Sequence, residues 1–351
     1  MSKLNPIAFA GNDYLGLARD PRLAEALART ARDHGISPAS GRFFLGWSEL
    51  HKGLERELAE FFGAEEACLL PSAYLGGLTF FSSLADRYRV AFCDEYAHLN
   101  LLQGMRAGGC EIHTFRHLDA ADLQAQLRRH KGPPPAVVTD GVFSLSGELA
   151  PVRELAEAAR KARALLLVDD AHGVFCTGRN GRGTCELSRL DPNECVLMGS
   201  MSKALGCHGG FFVGRSSIIR RLQRGTAGAT PSPMPVVAAC REALRIVRAE
   251  PERRERMARN RDRMLEILRR RGVATVSERT PILAMRLRNE TEAKGLARHF
   301  ESQGIIIRHA KYPSEPRTNL LRSVARAVYT EEDLDRFRSA LDSWRRRDSG
   351  E

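Results

Sequence analysis

The chain is 351 residues long, 43% hydrophobic and 28% charged, with a formal net charge of +11. That length can bury a sizeable core in one large and one smaller domain, and no run approaches the roughly 20 apolar residues of a membrane span. Eight cysteines without a C-x-x-C pair point to neither a zinc site nor a disulfide framework, so no metal is expected and the expected compartment is a reducing cytoplasm.

The N-terminus, Met1-Ser2-Lys3-Leu4-Asn5-Pro6, lacks the roughly 7–15-residue apolar core of a signal peptide. Much of the excess positive charge falls in helical segments such as Arg253-Arg254-Glu255-Arg256 and Arg345-Arg346-Arg347, which read as solvated faces. Nucleic acid is suggested by charge alone, without a recognition motif or interleaved aromatics. An anionic substrate is equally compatible with it.

Along the chain, Asn12-Asp13-Tyr14-Leu15-Gly16-Leu17 is a turn-rich entry, and Asp20-Pro21 starts a helix with proline at its first position. After Ser40-Gly41-Arg42-Phe43-Phe44-Leu45-Gly46, Ser48 caps a helix with Leu50, Leu54, Leu58 and Phe61 on its core face and Gly63 at its stop. Ala67 to Leu70 reads as a strand, and Ser72-Ala73-Tyr74-Leu75-Gly76-Gly77 as the turn into a helix, where free N–H groups suit a phosphate. Arg89 to Asp94 is a further strand, followed by His98. A lone histidine there also fits a structural role.

Strand and helix alternate from Ile112 through the helix Asp119 to His130 and the strand Ala136 to Thr139, as successive βαβ units do. The helix Pro151 to Ala162 leads into Ala164-Leu165-Leu166-Leu167-Val168, a continuous apolar run of the kind buried on both faces of a parallel sheet. It runs into Asp169-Asp170-Ala171-His172-Gly173, at the strand end where open α/β sheets place ligands. Another short apolar run from Val196 ends in Gly199-Ser200-Met201-Ser202-Lys203, followed by Gly206, Gly209 and Gly210. Lys203 therefore sits on a tight turn whose backbone is left uncrowded. From this stretch alone, a solvated lysine in a glycine-rich loop is as good a reading.

Helices Pro235 to Ala249 and Pro251 to Arg271 carry Ala239, Leu244, Val247, Met257, Met264 and Leu268 as core. Beyond them, strands at 282–287, 305–307 and 320–325 with helices at 291–303 and 330–344 form an α+β tail. The expected domains are a short segment 1–16, a large domain 17–248 and a small domain 249–351.

Lys203 and Asp169 have one joint explanation. A lysine that can form a Schiff base, with a carboxylate that keeps a pyridine nitrogen protonated, is what pyridoxal phosphate asks of a protein. At these residues the chain resembles the fold-type I pyridoxal-phosphate enzymes, and within them the α-oxoamine synthases. The motifs that carry the resemblance are Asn12-Asp13-Tyr14-Leu15-Gly16-Leu17, His51-x-x-Leu54-Glu55, His98, Val168-Asp169-Asp170-Ala171-His172-Gly173, Gly178-x-x-Gly181-Arg182-Gly183, Ser202-Lys203-Ala204-Leu205-Gly206 and Arg322. In that order they span nearly the whole chain.

The resemblance implies an α/β, aspartate aminotransferase-like fold: a large domain on a mostly parallel seven-stranded sheet and a smaller α+β C-terminal domain. It implies pyridoxal 5'-phosphate held by Lys203, its ring nitrogen facing Asp169, His98 stacked on the ring, and His172 and Ser144 bonding its phenolic oxygen. Backbone at Ala73 and Tyr74 would take the phosphate, with Ser200 in the cofactor site and Thr230 reaching the phosphate in the neighbouring subunit of a homodimer. Arg322 would grip the carboxylate of a small amino acid (alanine, glycine or serine), which condenses with an acyl thioester of CoA or a carrier protein and loses CO2. Alanine with a pimeloyl thioester is the commonest bacterial pairing in the family.

Gly41, Leu45, Gly77, Asn100 and Ser146 depart from the residues usual there. An aminotransferase shares lysine, aspartate and arginine but is not expected to carry these motifs together. A non-catalytic partner subunit is disfavoured because such subunits lose the lysine.

Overall fold

The computed structural model describes residues 6–37, 39–309, 311 and 313–348, the last four, 345–348, as helical backbone only. Residues 1–5, read above for a signal-peptide core, and the side chains of Arg345, Arg346 and Arg347, read above as a solvated face, lie outside the described residues. Two compact units are formed. One comprises Leu17–Val142 with Ala150–Glu250; the other comprises the segment ending at Gly16, Phe143–Leu149 and the chain from Pro251 onward.

The chain begins with β1 (Ile7–Ala8) and α1 (Pro21–His34), where the Asp20 side chain accepts the Arg22 N–H and proline occupies the first turn. Ser48 caps α2 (Glu49–Phe62), which Gly63 ends in the left-handed conformation at φ 73°. There follow β2 (Glu66–Leu70), α3 (Gly76–Ser83), β3 (Val90–Asp94), α4 (Leu99–Ala107), β4 (Glu111–Phe115), α5 (Ala120–Arg129), β5 (Ala136–Asp140), α6 (Val152–Lys161) and β6 (Leu165–Asp169). The larger unit is completed by α7 (Gly183–Leu187), β7 (Val196–Ser200), β8 (Gly210–Gly214), α8 (Ser216–Gly225) and α9 (Met234–Ala249).

Its sheet has seven strands in the order β2-β8-β7-β6-β5-β3-β4, and β8 alone runs against its neighbours. The apolar runs read as buried strands are buried on both faces: Val137, Val138, Leu166, Leu167 and Leu197 are all sealed from solvent. Each such side chain contributes about 2 kcal/mol of burial. The crossing of α3 and α4 is close enough that a Cβ on Gly77 would lie 2.3 Å from the Asn100 carbonyl oxygen. That contact gives a physical reason for glycine at this position.

In the smaller unit, α10 (Glu252–Arg270), β9 (Ala274–Thr275), β10 (Ile282–Arg286), α11 (Glu290–Ser302), β11 (Ile305–Ile306), β12 (Leu320–Val324) and α12 (Glu331–Asp348) follow in turn. Antiparallel β10 lies between β12 and β9, while β1 pairs in parallel with β11. In its core Phe337 stacks on Phe300 at 5.4 Å between ring centroids and meets Phe9 in a tilted contact at 5.0 Å. Among the described residues no helix is long and apolar enough to cross a membrane.

Candidate active site

β7 and β8 pair as a hairpin, with Ser200 opposite Gly210, and residues 201–209 form its loop. The Met201 N–H donates to the Gly209 carbonyl at 3.0 Å, Cys207 N–H to Met201 at 2.9 Å, and Gly206 N–H to Lys203 at 2.9 Å. Gly206 adopts φ 63°, and a Cβ there would lie 2.3 Å from the Ala18 nitrogen. A side chain at Gly210 would meet the Ala73 backbone at 2.5 Å. The glycines thus let the lysine turn, expected to be tight and uncrowded, pack directly on the turn after β2.

The parallel register sets Asp140 at the end of β5 beside Asp169 at the end of β6. Asp169 Oδ1 accepts the Ala171 N–H at 3.1 Å, and its Oδ2 faces Asn100 Nδ2 at 3.4 Å. His98 Nδ1 lies 2.8 Å from Asn100 Oδ1. The Asn100 N–H donates to the same Nδ1 at 3.2 Å, and the Asn100 side-chain nitrogen also faces the Ala73 carbonyl at 3.4 Å. Asp140 accepts the His98 N–H at 3.0 Å; burial and the adjacent Asp169 carboxylate hold its own carboxyl well above the usual range.

These groups line a cavity of about 190 Å³ together with Lys203, His172, Ala171, Ser72, Ala73, Tyr74, Ser200 and Ser202. Ser200 and Ser202 hydroxyls are 2.8 Å apart, and Ser72 Oγ accepts the Tyr74 N–H at 3.3 Å. One amine for an aldehyde, one carboxylate for a ring nitrogen, two imidazoles and a rim of hydroxyls fit pyridoxal phosphate chemically.

Of the residues expected at the cofactor, Lys203, Asp169, His98, His172, Ala73, Tyr74 and Ser200 come together here. Thr230 is exposed and does not line the cavity. Ser144 and Arg322 belong to the smaller unit and meet there: Arg322 Nε donates to the Ser144 carbonyl at 2.6 Å, Nη2 to Asn12 Oδ1 at 2.7 Å, and Nη1 to the Ala10 carbonyl at 3.3 Å. Asn100, Asp140 and Ser202 had been given no role in the cavity. The signal for Asp140 was available, because both central apolar runs end in aspartate.

The His51-x-x-Leu54-Glu55 motif has a structural account. Glu55 takes a two-pronged bond from Arg42 at 3.0 and 3.1 Å and the Leu69 N–H at 3.0 Å. His51 Nε2 bonds the Ser232 carbonyl at 2.8 Å, and the Arg42 guanidinium lies 3.6 Å over the Trp47 ring. Arg42→Ala would leave Glu55 buried without its cation. It is expected to lower stability by about 3 kcal/mol, read from the urea midpoint; an unchanged midpoint would show that the pair is not a structural tie.

Residues 5–341 match the family model described as aminotransferase class I and II. The chain is 37% identical over 340 residues to an 8-amino-7-oxononanoate synthase of Methylococcus capsulatus, covering 95% of this chain and 88% of that protein. Among solved structures it superposes on Sphingomonas wittichii serine palmitoyltransferase with a TM-score of 0.91 at 27% identity, covering 98% of this chain and 88% of that one. A structure of SPT with PLP gives a TM-score of 0.90 at 27% identity, over 96% and 87% of the two chains. By motif order, fold and likeness over its length, the chain belongs to the aminotransferase class I and II family and, within it, to the α-oxoamine synthases.

Proposed function

We propose that the protein is a pyridoxal-phosphate-dependent acyltransferase that condenses a small amino acid with an acyl thioester, with loss of CO2, to give an α-oxoamine as 8-amino-7-oxononanoate synthases do. The observation that carries this reading is the meeting of Lys203, Asp169, His98 and His172 in one cavity. Bound there, the cofactor supplies a sink for the electron pair left at the amino acid's α-carbon. Lys203 Nζ would hold the cofactor through its aldehyde and would serve as the base for the amino acid's α-proton. The Asp169 carboxylate would keep a proton on the ring nitrogen. His98 would cover the ring, and His172, with Ser144 as the resemblance implies, would bond the phenolic oxygen.

Turnover assayed as CO2 and free-thiol release, over glycine, alanine and serine against short, medium and long acyl thioesters, tests the reading. Release of both from one pairing supports it, and transamination without CO2 would favour an aminotransferase.

Arg322 is the proposed holder of the amino acid's carboxylate. Among the described residues its hydrogen bonds go to two carbonyls and an amide oxygen, none of them charged, which suits an anion that a planar fork can bind in two places. Arg322→Lys is expected to raise KM for the amino acid about 10-fold or more, since losing the fork removes about 1.5–3 kcal/mol. An unchanged KM would remove the assignment.

The protein is further proposed to act as a homodimer in which Thr230, exposed in the single chain, reaches the phosphate bound by the other copy. Light scattering during cofactor titration checks this. Cofactor retention is expected to fall as the dimer is diluted apart and to weaken in Thr230→Ala. A monomer that binds pyridoxal phosphate with undiminished affinity would overturn it.

A further inference from the structure

The loop that carries His172 is gathered around a buried acid, Asp170, which does not line the cavity. Asp170 follows Asp169 at the end of β6 and is sealed from solvent. Its Oδ2 accepts the Thr184 N–H at 2.7 Å, and its backbone carbonyl accepts the Gly173 and Val174 N–H groups at 2.9 Å each. Residues 171–183 thus leave Asp170 and return to it.

The carboxyl is enclosed by glycine. A Cβ on Gly173, Gly183 or Gly141 would lie 2.1, 2.0 or 2.4 Å from one of its oxygens. Gly178 stands in the same relation to Glu186, whose carboxylate accepts the N–H groups of Asn180 and Arg182. The Gly178-x-x-Gly181-Arg182-Gly183 motif therefore serves two carboxylates, an inner one on Asp170 and an outer one on Glu186.

A second observation shows that the loop is held against its own preference. Phe175, fully buried, adopts φ 68°, a region that bulky residues occupy only when their surroundings impose it. Its ring packs against Phe61 and Phe62 at 5.5 Å and Phe211 at 5.8 Å.

Asp170 Oδ1 and the Thr184 hydroxyl are both buried, and neither makes a hydrogen bond of normal geometry among the described residues. Burial, opposed by the Thr184 N–H and hydroxyl and reinforced by the Asp169 charge, pushes the Asp170 carboxyl up to about 7. A protonated Oδ1 can donate toward that hydroxyl, and an amide in its place can do the same.

We infer that Asp170 is a positioning residue, whose carboxyl clasps residues 171–183 to the end of β6 and thereby holds His172 and Asp169 where the proposed reaction needs them. This rests on the reading of the site as an acyltransferase.

The test compares Asp170→Asn, Asp170→Leu and Asp170→Ala. Asparagine keeps the acceptor for Thr184, leucine keeps the volume without it, and alanine keeps neither. Amide hydrogen exchange over residues 171–186, measured without cofactor, reads the clasp itself. Exchange should rise at least tenfold in the leucine and alanine proteins and stay near wild type in the asparagine protein. In the loaded enzymes the first two should lose at least tenfold in kcat with KM little changed and a shifted cofactor absorbance, while asparagine restores both to within about threefold. Unaltered exchange in a folded leucine or alanine protein overturns the clasp. Raised exchange with unaltered kcat and absorbance overturns the positioning role. Should neither of these two fold, Asp170→Asn decides alone: a tenfold loss of kcat or a tenfold rise in exchange overturns the inference. Wild-type protein that releases neither CO2 nor thiol would instead refute the underlying reading, leaving the exchange result intact.

Discussion

Replacing Lys203 with alanine is expected to lower turnover by about 10⁴-fold and to abolish borohydride fixation of the cofactor to the protein. Lys203 is the one amine among the described residues that line the cavity, so covalent capture of an aldehyde has no other donor there. The same nitrogen is proposed to remove the α-proton, and loss of a positioned general base by itself removes about 10²–10⁴-fold. Cofactor can still bind through the remaining contacts, so the variant should retain it weakly and release it on dialysis. Peptide mapping of the borohydride-treated wild-type protein supplies the decisive measurement. Cofactor fixed on any other lysine would displace Lys203 from the centre of the mechanism.

Much of the fold was legible because buried parallel strands leave a plain signature. The runs Ala136 to Thr139 and Ala164 to Val168 are apolar without alternation, and Ala136–Thr139 and Leu166–Val168 are buried in adjacent strands of the sheet. The lysine turn was legible for a different reason, since glycines at 206, 209 and 210 have no purpose on an open loop and each is pressed against neighbouring atoms. β8 was harder to see. Its apolar part is three residues, Phe211 to Val213, bounded by glycines, and in isolation that reads as the end of a turn. The two-residue pairing of β1 with β11 is shorter than any periodicity can register.

Assignment of Phe143–Leu149 to the smaller unit depends on contacts far away in sequence, among them the bond from Thr280 to the Gly147 carbonyl. Asn100 shows the same limit at the site. Its spacing from His98 was visible, but its amide facing Asp169 depends on β3 and β6 being brought together by the strand between them.

Asp169→Asn is expected to leave the cofactor bound to Lys203 while slowing turnover by about 10²–10³-fold, the usual loss when a charge aimed at the reacting group is removed from a site that excludes water. The substitution is close to isosteric. An amide oxygen can still accept the Ala171 N–H that Asp169 Oδ1 takes at 3.1 Å, so the turn into His172 should persist. What is lost is the negative charge proposed to keep the ring nitrogen protonated, and with it the ring's capacity to accept electrons. The neighbouring Asp140 does not replace it: its carboxyl is raised first by burial and then by Asp169, so removing Asp169's charge eases Asp140's ionisation but leaves that carboxyl bonded to the His98 N–H. Exchange of the amino acid's α-proton with deuterated solvent, followed by NMR without acyl thioester, isolates this step from acyl transfer. The exchange should slow in parallel with turnover. Near wild-type exchange in the asparagine protein would take Asp169 out of the role while leaving Lys203 in its own.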